Sequence, residues 1–378
     1  MIFSMGFTRS DRRLIIITVV AAAAAGTFHY AKLGGTVAPF VIAAIALALL
    51  ASLVGRSVEA LGDKLGAGAT GVVQSALGNL PELFVVLFAL RDKLYGVATA
   101  TIVGSILANV LLVLGLSFLL GGIKHGRQKF AGEAARTMSM LMALSVAALL
   151  VPSLTSALGS QATKAALHER NLSIVVSVLL LGLFVASLPA SLRRQKTAEQ
   201  PAGSGSGPGV DASGASAGEA SEEQEHSWPL GVALAMLAIT GLGAAFVSDW
   251  FVAALQPAIS TLGISEAFAG LVIVAIAGNA VENVVGIQLA LKNQSDYALS
   301  VILQSPLQIA LVVAPALVLL SPLVGASFTL VLSPLLIAVL IMSVVITVLV
   351  VLDGESNWLE GATLIVLYGI IATAFWWG

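Results

Sequence analysis

The sequence predicts an all-α integral membrane protein of eleven transmembrane helices, laid out 1 + 5 + 5, with the two groups of five related as inverted-topology repeats. Three observations carry that prediction. Of the 378 residues, 58% are hydrophobic and only 10% charged, and the mean hydropathy is +1.00; a soluble domain carries roughly 25% charge. Apolar stretches of about 20 residues, the length that a hydrocarbon layer of about 30 Å demands of a helix, recur along the whole chain. One of these stretches returns after an interval of 200 residues.

In chain order the spans are 14–32, 36–55, 68–90, 95–121, 132–152, 171–192, 228–250, 267–291, 297–320, 325–350 and 358–377. Arg12 and Arg13 ahead of LIIITVVAAAAAGTF have the look of a signal peptide. Many similar spans follow and must be threaded anyway, so residues 1–35 are read as a retained extra helix. The next five spans form a first unit, 36–192. Residues 193–227, with AGSGSGPGVDASGASAGEASEEQEH, are read as a disordered Gly/Ser/Ala linker ending in the acidic Glu219, Glu222, Glu223 and Glu225. The remaining five spans form a second unit, 228–378. Within it, 297–352 is uncharged and too long for one span, and Ser321-Pro322 with Gly325-Ala326-Ser327 marks the turn. Trp358, Trp376 and Trp377 sit where an interfacial aromatic belt belongs.

Thirteen of the eighteen Lys and Arg fall on one side of this layout, which puts the N-terminus and the linker in the cytoplasm and the C-terminus outside. The low charge and the lack of organelle signals suggest a prokaryotic cytoplasmic membrane. The net charge of −2 and the absence of a basic run argue against a nucleic-acid partner, and the absence of cysteine excludes disulfides and thiolate metal sites. No nucleophile–base pair or histidine ligand set lies within the spans, which argues against an enzyme.

Residues 78–120 and 278–320 align without a gap. The match keeps Gly78/Gly278, Asn79/Asn279, Glu82/Glu282, Ala98/Ala298, Ile102/Ile302 and Ser105/Ser305. Aliphatic matches arise by chance between lipid-facing helices, but Gly-Asn-x-x-Glu followed 23 residues later by Ser does not. Five spans separate equivalent points of the copies, so the second is upside-down relative to the first, as in secondary transporters that bind their cargo near the midplane. Glu82 and Glu282 are each the one charged residue of their span, and intramembrane acids are expensive to keep. The pairing predicts that they face each other. Two carboxylates in a low-dielectric site cannot both stay ionised unless a cation lies between them or one is protonated, which is the logic of a cation/proton antiporter. Carboxylate, carbonyl and amide oxygens suit a hard cation such as Ca2+. Gly78 and Pro81, and likewise Gly278, are expected to interrupt their helices and turn carbonyls toward the cavity.

The stretches GNLPELFVVLFALRDKLYGVATATIVGSILANVLLVLGLSFLLGG and GNAVENVVGIQLALKNQSDYALSVILQSPLQIALVVAPALVLLSP resemble the paired signature repeats of the calcium/proton exchangers, a family of the calcium/cation antiporter superfamily. The resemblance implies that Glu82 and Glu282 bind Ca2+ and protons alternately. It further implies that Asn79, Asn279, Ser105, Asn109, Ser305 and Gln308 complete the polar lining, with the third and eighth spans crossing at the centre. Ca2+ is then a transported substrate, not a cofactor, and the partners are Ca2+, H+ and the bilayer. The sequence departs from the family pattern in Leu80-Pro81 where Ala-Thr is usual, in Asn283 where a His is usual, and in Gln304 and Pro306 beside Ser305. Na+/Ca2+ or Na+(K+)/H+ exchange on the same scaffold is the nearest alternative; Asn109 and Gln308, where a further acid would serve Na+, favour protons. A cation channel, which would more naturally use rings of acids from several subunits, is a distant one. His29, His125, His168 and His226 are read as solvated, and Glu59 and Asp63 as a loop before the third span.

Overall fold

The computed structural model describes residues 7–65, 77–130, 132–162, 168–198 and 228–377. Twelve helices carry them: α1 (Arg9–Ala31), α2 (Val37–Leu65), α3 (Leu80–Arg91), α4 (Tyr95–His125), α5 (Gly132–Ala162), α6 (Glu169–Ala198), α7 (Leu230–Leu262), α8 (Glu266–Gly278), α9 (Ala280–Leu291), α10 (Ser295–Val324), α11 (Pro334–Val351) and α12 (Trp358–Trp376). Among the described residues nine helices are long and apolar enough to cross a bilayer, ten if the bent pair α8–α9 is one span. The opening of the predicted span 68–90 lies at residues 66–76, outside the described residues, as does the acidic cluster Glu219, Glu222, Glu223 and Glu225 together with His226.

The two half-helices α3 and α9 are 12 residues each, about 18 Å, which is short of a bilayer. Each is followed by the same tight corner. Lys93 and Asn293 take positive φ, 64° and 60°, and the amides of Leu94 and Gln294 return to the carbonyls of Ala89 and Leu289 at 2.8 and 2.9 Å. The following long helices α4 and α10 both widen into a π-helical stretch midway, at Ala108–Val113 and Ile309–Val313. Wider turns of this kind recur at functional sites.

The packing exchanges the copies. Helix α2 lies along α7, its counterpart; α3 packs on α7 as α9 packs on α2; α4 meets α9 as α10 meets α3; α5 packs on α11; and α4 meets α12 as α10 meets α6. Helix α1 runs along α2, and its Asp11 accepts hydrogen bonds from Arg56 and from the Trp228 indole.

Several sequence expectations are corrected. Glu59 and Asp63 belong to α2, which runs ten residues past 55 instead of giving way to a loop. The tenth span starts at Pro334, not at 325, because residues 326–333 are not helical. Their backbone is satisfied by serines instead of a helix ladder: Leu330 O accepts from Ser153 Oγ, Leu330 N donates to Ser173 Oγ and Leu332 N to Ser153 Oγ. Irregular backbone survives at this depth when protein supplies the partners. Helix α6 carries on to Ala198, six residues into the stretch read as linker. His29, expected in solvent, stacks on Trp250 with ring centroids 5.9 Å apart. A two-stranded antiparallel pair, Gln128–Lys129 with Glu355–Ser356, joins two helix ends. The turn at Ser321-Pro322 appears as expected, a short 3-10 stretch closed by Gly325 at φ 70°.

Candidate cation site

Glu82 stands in the first turn of α3, where Pro81 can sit because that turn's N–H groups have no helical partner. The interruption falls on asparagine, where glycine was expected. Asn79 opens α3 at φ −97°, ψ 25°, and Asn279 both closes α8 and opens α9 at φ −87°, ψ 26°. Gly78 lies in the turn just before Asn79, and Gly278 is the last residue of α8. Neither asparagine side chain caps its own helix; both amides are used elsewhere.

Asn79 Nδ2 donates to Gln308 Oε1 at 3.0 Å. Asn279 Oδ1 accepts from Asn109 Nδ2 at 2.9 Å and from Ser305 Oγ at 3.1 Å, while its Nδ2 donates to Ala275 O at 2.9 Å. Asn109 Nδ2 also reaches Ser105 O at 2.9 Å and Ser305 Oγ at 3.2 Å. Each asparagine at a helix break is therefore held by an amide from the long helix of the other copy. Glu82, 3% exposed, lies against the break of the second copy: a methyl group on Gly278 would stand 2.8 Å from its Cγ and 3.1 Å from its Oε1.

Of the predicted residues, Glu82, Asn79, Asn279, Asn109, Ser305, Gln308 and Gly278 are thus brought into one buried cluster. The Ser105 hydroxyl stands apart from the hydrogen-bonded set, although its backbone carbonyl joins it. Glu282 is the third residue of α9, as Glu82 is of α3, and its side chain lies outside the described residues. Asn283 Nδ2 reaches back across the break toward Ile276 O at 3.4 Å.

Three oxygens of the cluster, Asn79 Oδ1, Asn109 Oδ1 and Ser105 Oγ, are buried and accept no hydrogen bond among the described residues. Leaving such groups unpaired costs about 1–3 kcal/mol each, so the arrangement suits something that offers positive charge to oxygen. Among the described residues no three acidic or histidine side chains converge; a cation here would meet carboxylate, amide and hydroxyl oxygens, a hard-cation set. Sequence reasoning missed one detail. Gln308 aligns with Ala108 and Asn109 with Ile309, so the two amides are offset by one residue. The π stretch begins one residue later in α10 than in α4, and the longer Gln side chain makes up the reach.

Against known families, the profile of the sodium/calcium exchanger protein family matches residues 36–192 and 232–377. The chain belongs to that family. Within it, the chain is 35% identical to a Ca2+/H+ antiporter of Bacillus subtilis across 89% of this chain and 91% of that protein. It is 32% identical to a Ca2+/H+ antiporter of Synechocystis across 96% of this chain and 97% of that one. The solved structure of native YfkE matches its fold with a TM-score of 0.77 at 30% identity, covering 96% of this chain and 99% of that chain. The resemblance to calcium/proton exchangers read from the duplicated motif is borne out, as is a membrane-spanning, almost wholly helical exchanger fold.

Proposed function

We propose that this member of the sodium/calcium exchanger family moves Ca2+ out of the cytoplasm in exchange for entering protons. In this reading Glu82 and Glu282 bind Ca2+ and H+ alternately at the centre of two inverted five-helix units. The carrying observation is the buried Glu82 carboxyl set against the helix break of the other copy, with Asn79, Asn279, Asn109, Ser305 and Gln308 around it. A buried carboxylate is neutralised by a cation or by a proton, and one site that accepts either gives exchange. The relatives named Ca2+/H+ antiporters support this pair of substrates. The amides of Asn109 and Gln308 are engaged with Asn279 and Asn79 where a Na+ exchanger would want acids, which favours protons as the counter-ion.

The 1 + 5 + 5 layout, with 1–35 as the extra helix, 36–192 and 228–378 as the inverted units and 193–227 as a cytoplasmic linker, draws support from which helix ends meet. Asp11 with Arg56 and Trp228, Lys124 with Leu291, and Lys129 with Glu355 join ends that the alternation assigns to the inside. Thr36 with Thr261, Arg91 with Asp249, and Ser265 with Phe375 join ends that it assigns to the outside. The family profile matches two stretches with nearly the boundaries of the units. A prokaryotic cytoplasmic membrane, with the N-terminus inside and the C-terminus outside, completes the reading.

The test is 45Ca2+ uptake driven by a pH gradient in inverted vesicles. Glu82→Gln and Glu282→Gln each abolish it; normal uptake by either variant removes the proposal. Uptake that persists with the pH gradient collapsed but a Na+ gradient imposed transfers the reading to Na+/Ca2+ exchange.

A further inference from the structure

Hydroxyl groups buried within membrane helices normally return their proton to a backbone carbonyl one turn earlier. Thr18 does so to Leu14 O, Thr240 to Met236 O and Thr347 to Ser343 O, all at 2.7–2.8 Å. Among the buried threonines of the described residues, Thr101 of α4 is different. It is 1% exposed, and its Oγ1 has no hydrogen-bond partner among the described residues. The second copy has Val301 at the equivalent position, so the fold does not require a hydroxyl there.

Its place gives the group a meaning. Thr101 lies one turn before Ser105 and two before Asn109, roughly 6 and 12 Å along the axis. Those are two of the three other residues of α4 whose side-chain oxygens are buried without a partner among the described residues; the third, Ser117, lies two turns beyond Asn109. The helix here runs beside α8, and the order of their contacts follows both chains toward the site. A methyl on Gly96 would stand 2.7 Å from Glu266 Oε2, one on Gly270 would stand 2.6 Å from Val97 O and 3.0 Å from Thr101 N, and one on Gly104 would strike Leu271 O. The seam ends where Asn109 bonds Asn279. The close-packed seam thus fixes α4 against α8 between a half-buried carboxylate at the helix ends read as external and the midplane cluster, and Thr101 stands on the stretch of α4 between them.

We propose that Thr101 Oγ1 is a further oxygen ligand for the transported cation, on the external side of Glu82, met between the outer end of α4 and the central site. The proposal rests on the reading of that cluster as a Ca2+ site. Only the first copy has such a rung, so its effect falls on one face of the membrane.

Thr101→Val removes the oxygen at nearly constant volume, and Thr101→Ser keeps it. The experiment is 45Ca2+/Ca2+ exchange in proteoliposomes of known orientation, with half-saturation measured separately at each face. Thr101→Val raises the external half-saturation by about tenfold, the worth of one lost ligand bond at about 1.4 kcal/mol, and leaves the cytoplasmic value unchanged; Thr101→Ser stays near wild type. Equal values for Thr101→Val and wild type at both faces, an equal shift at both faces, or a Ser variant as impaired as the Val variant overturns the inference. If the wild-type protein carries no Ca2+, the reading of the central site falls with it; if it carries Ca2+ and Thr101→Val matches it, the inference alone falls.

Discussion

At Asn79 the chain turns with φ −97° and ψ 25°, and at Asn279, two hundred residues later, with φ −87° and ψ 26°. The half-helix that follows has 12 residues in both copies and is followed in both, two residues on, by a positive-φ residue. Side chains then part company. Asn279 is held by Asn109 and Ser305, whereas Asn79 donates to Gln308, supplied from a position one residue out of register. Thr101 faces Val301 across the alignment, and Gly96 faces Asp296. Backbone breaks are thus common to the two copies, and the polar fittings around them are not. That division is physically sensible. In the proposed exchange mechanism the break sets where carbonyls and carboxylates can meet an ion and must be kept twice, while the ligands need only add up to one site.

The comparison is broken most severely at glycine. Gly278→Ala drives a methyl group into Glu82, and overpacking against the carboxyl proposed to bind the ion is expected to lower pH-driven Ca2+ uptake at least tenfold, since it displaces that carboxyl as well as costing about 1–3 kcal/mol of strain. Gly78→Ala is the mirror experiment. A comparable loss means that the second carboxyl uses the first break in the same way, and wild-type uptake would falsify the two-fold reading of the site. Next in size is Asn109. Its amide serves Asn279, Ser305 and the Ser105 carbonyl, so Asn109→Ala leaves several buried groups unpaired, at about 1–3 kcal/mol each. Gln308, which accepts from Asn79, is 7% exposed against 0% for Asn109, so groups left unpaired by Gln308→Ala are closer to solvent and cost less. Ca2+ turnover should fall further for Asn109→Ala than for Gln308→Ala; the reverse order would move the hub to the Asn79 side.

Much of this was legible in the sequence for a simple reason. A bilayer penalises charge and unpaired backbone so strongly that spans, and the acids tolerated within them, stand out without further information. Glu82 with its Gly-Asn partners, repeated at Glu282, could be read as a site because chance does not duplicate an expensive residue. What escaped the sequence depends on distances between elements remote along the chain. The ten residues of α2 beyond position 55, with Arg56, Glu59 and Asp63, are polar enough to read as a loop, yet Arg56 is anchored by Asp11 of α1. The irregular 326–333 stretch has helical composition, and the hydroxyls of Ser153 and Ser173 from another part of the chain help to make its open backbone tolerable. The register offset between Asn109 and Gln308 follows from where a π turn begins, which hydropathy does not reveal.

Two smaller effects sharpen the contrast between the copies away from the site. Helix α12 packs on α4 through Gly361, where a methyl would strike Leu119 N and stand 2.5 Å from Gly115 O; in the counterpart helix α6, a methyl on Gly182 meets nothing within 4 Å. Gly361→Ala should cost about 1–3 kcal/mol by overpacking, whereas Gly182→Ala should gain up to about 1 kcal/mol of helix propensity, both measured as thermal unfolding in detergent. Equal shifts would mean that the α4–α12 contact is looser than its geometry.

The smallest effect concerns how the two half-helices are held at their far ends. Helix α3 is held by charge: Arg91 donates to Asp249 of α7 and to Asp92, and its guanidinium lies 4.9 Å from the centre of the Phe88 ring. At α9 the carbonyls take that role. Leu291 O accepts from Lys124 Nζ at 2.9 Å and bonds His125 Nε2 at 2.8 Å, while Ala290 O accepts from Gln128 Nε2 at 3.0 Å. An ion pair whose side chains are about two-fifths exposed contributes roughly 0–1 kcal/mol and is screened by salt. Asp249→Asn should therefore change Ca2+ uptake by less than about fivefold at low ionic strength, and the gap to wild type should close as salt is raised. Gln128→Ala breaks a hydrogen bond that salt does not screen, so its deficit should persist at every ionic strength. A salt-independent Asp249→Asn defect would mean that Arg91 holds α3 by packing on Phe88 and by hydrogen-bond geometry, and that the two arms differ less in their physics than in their residues.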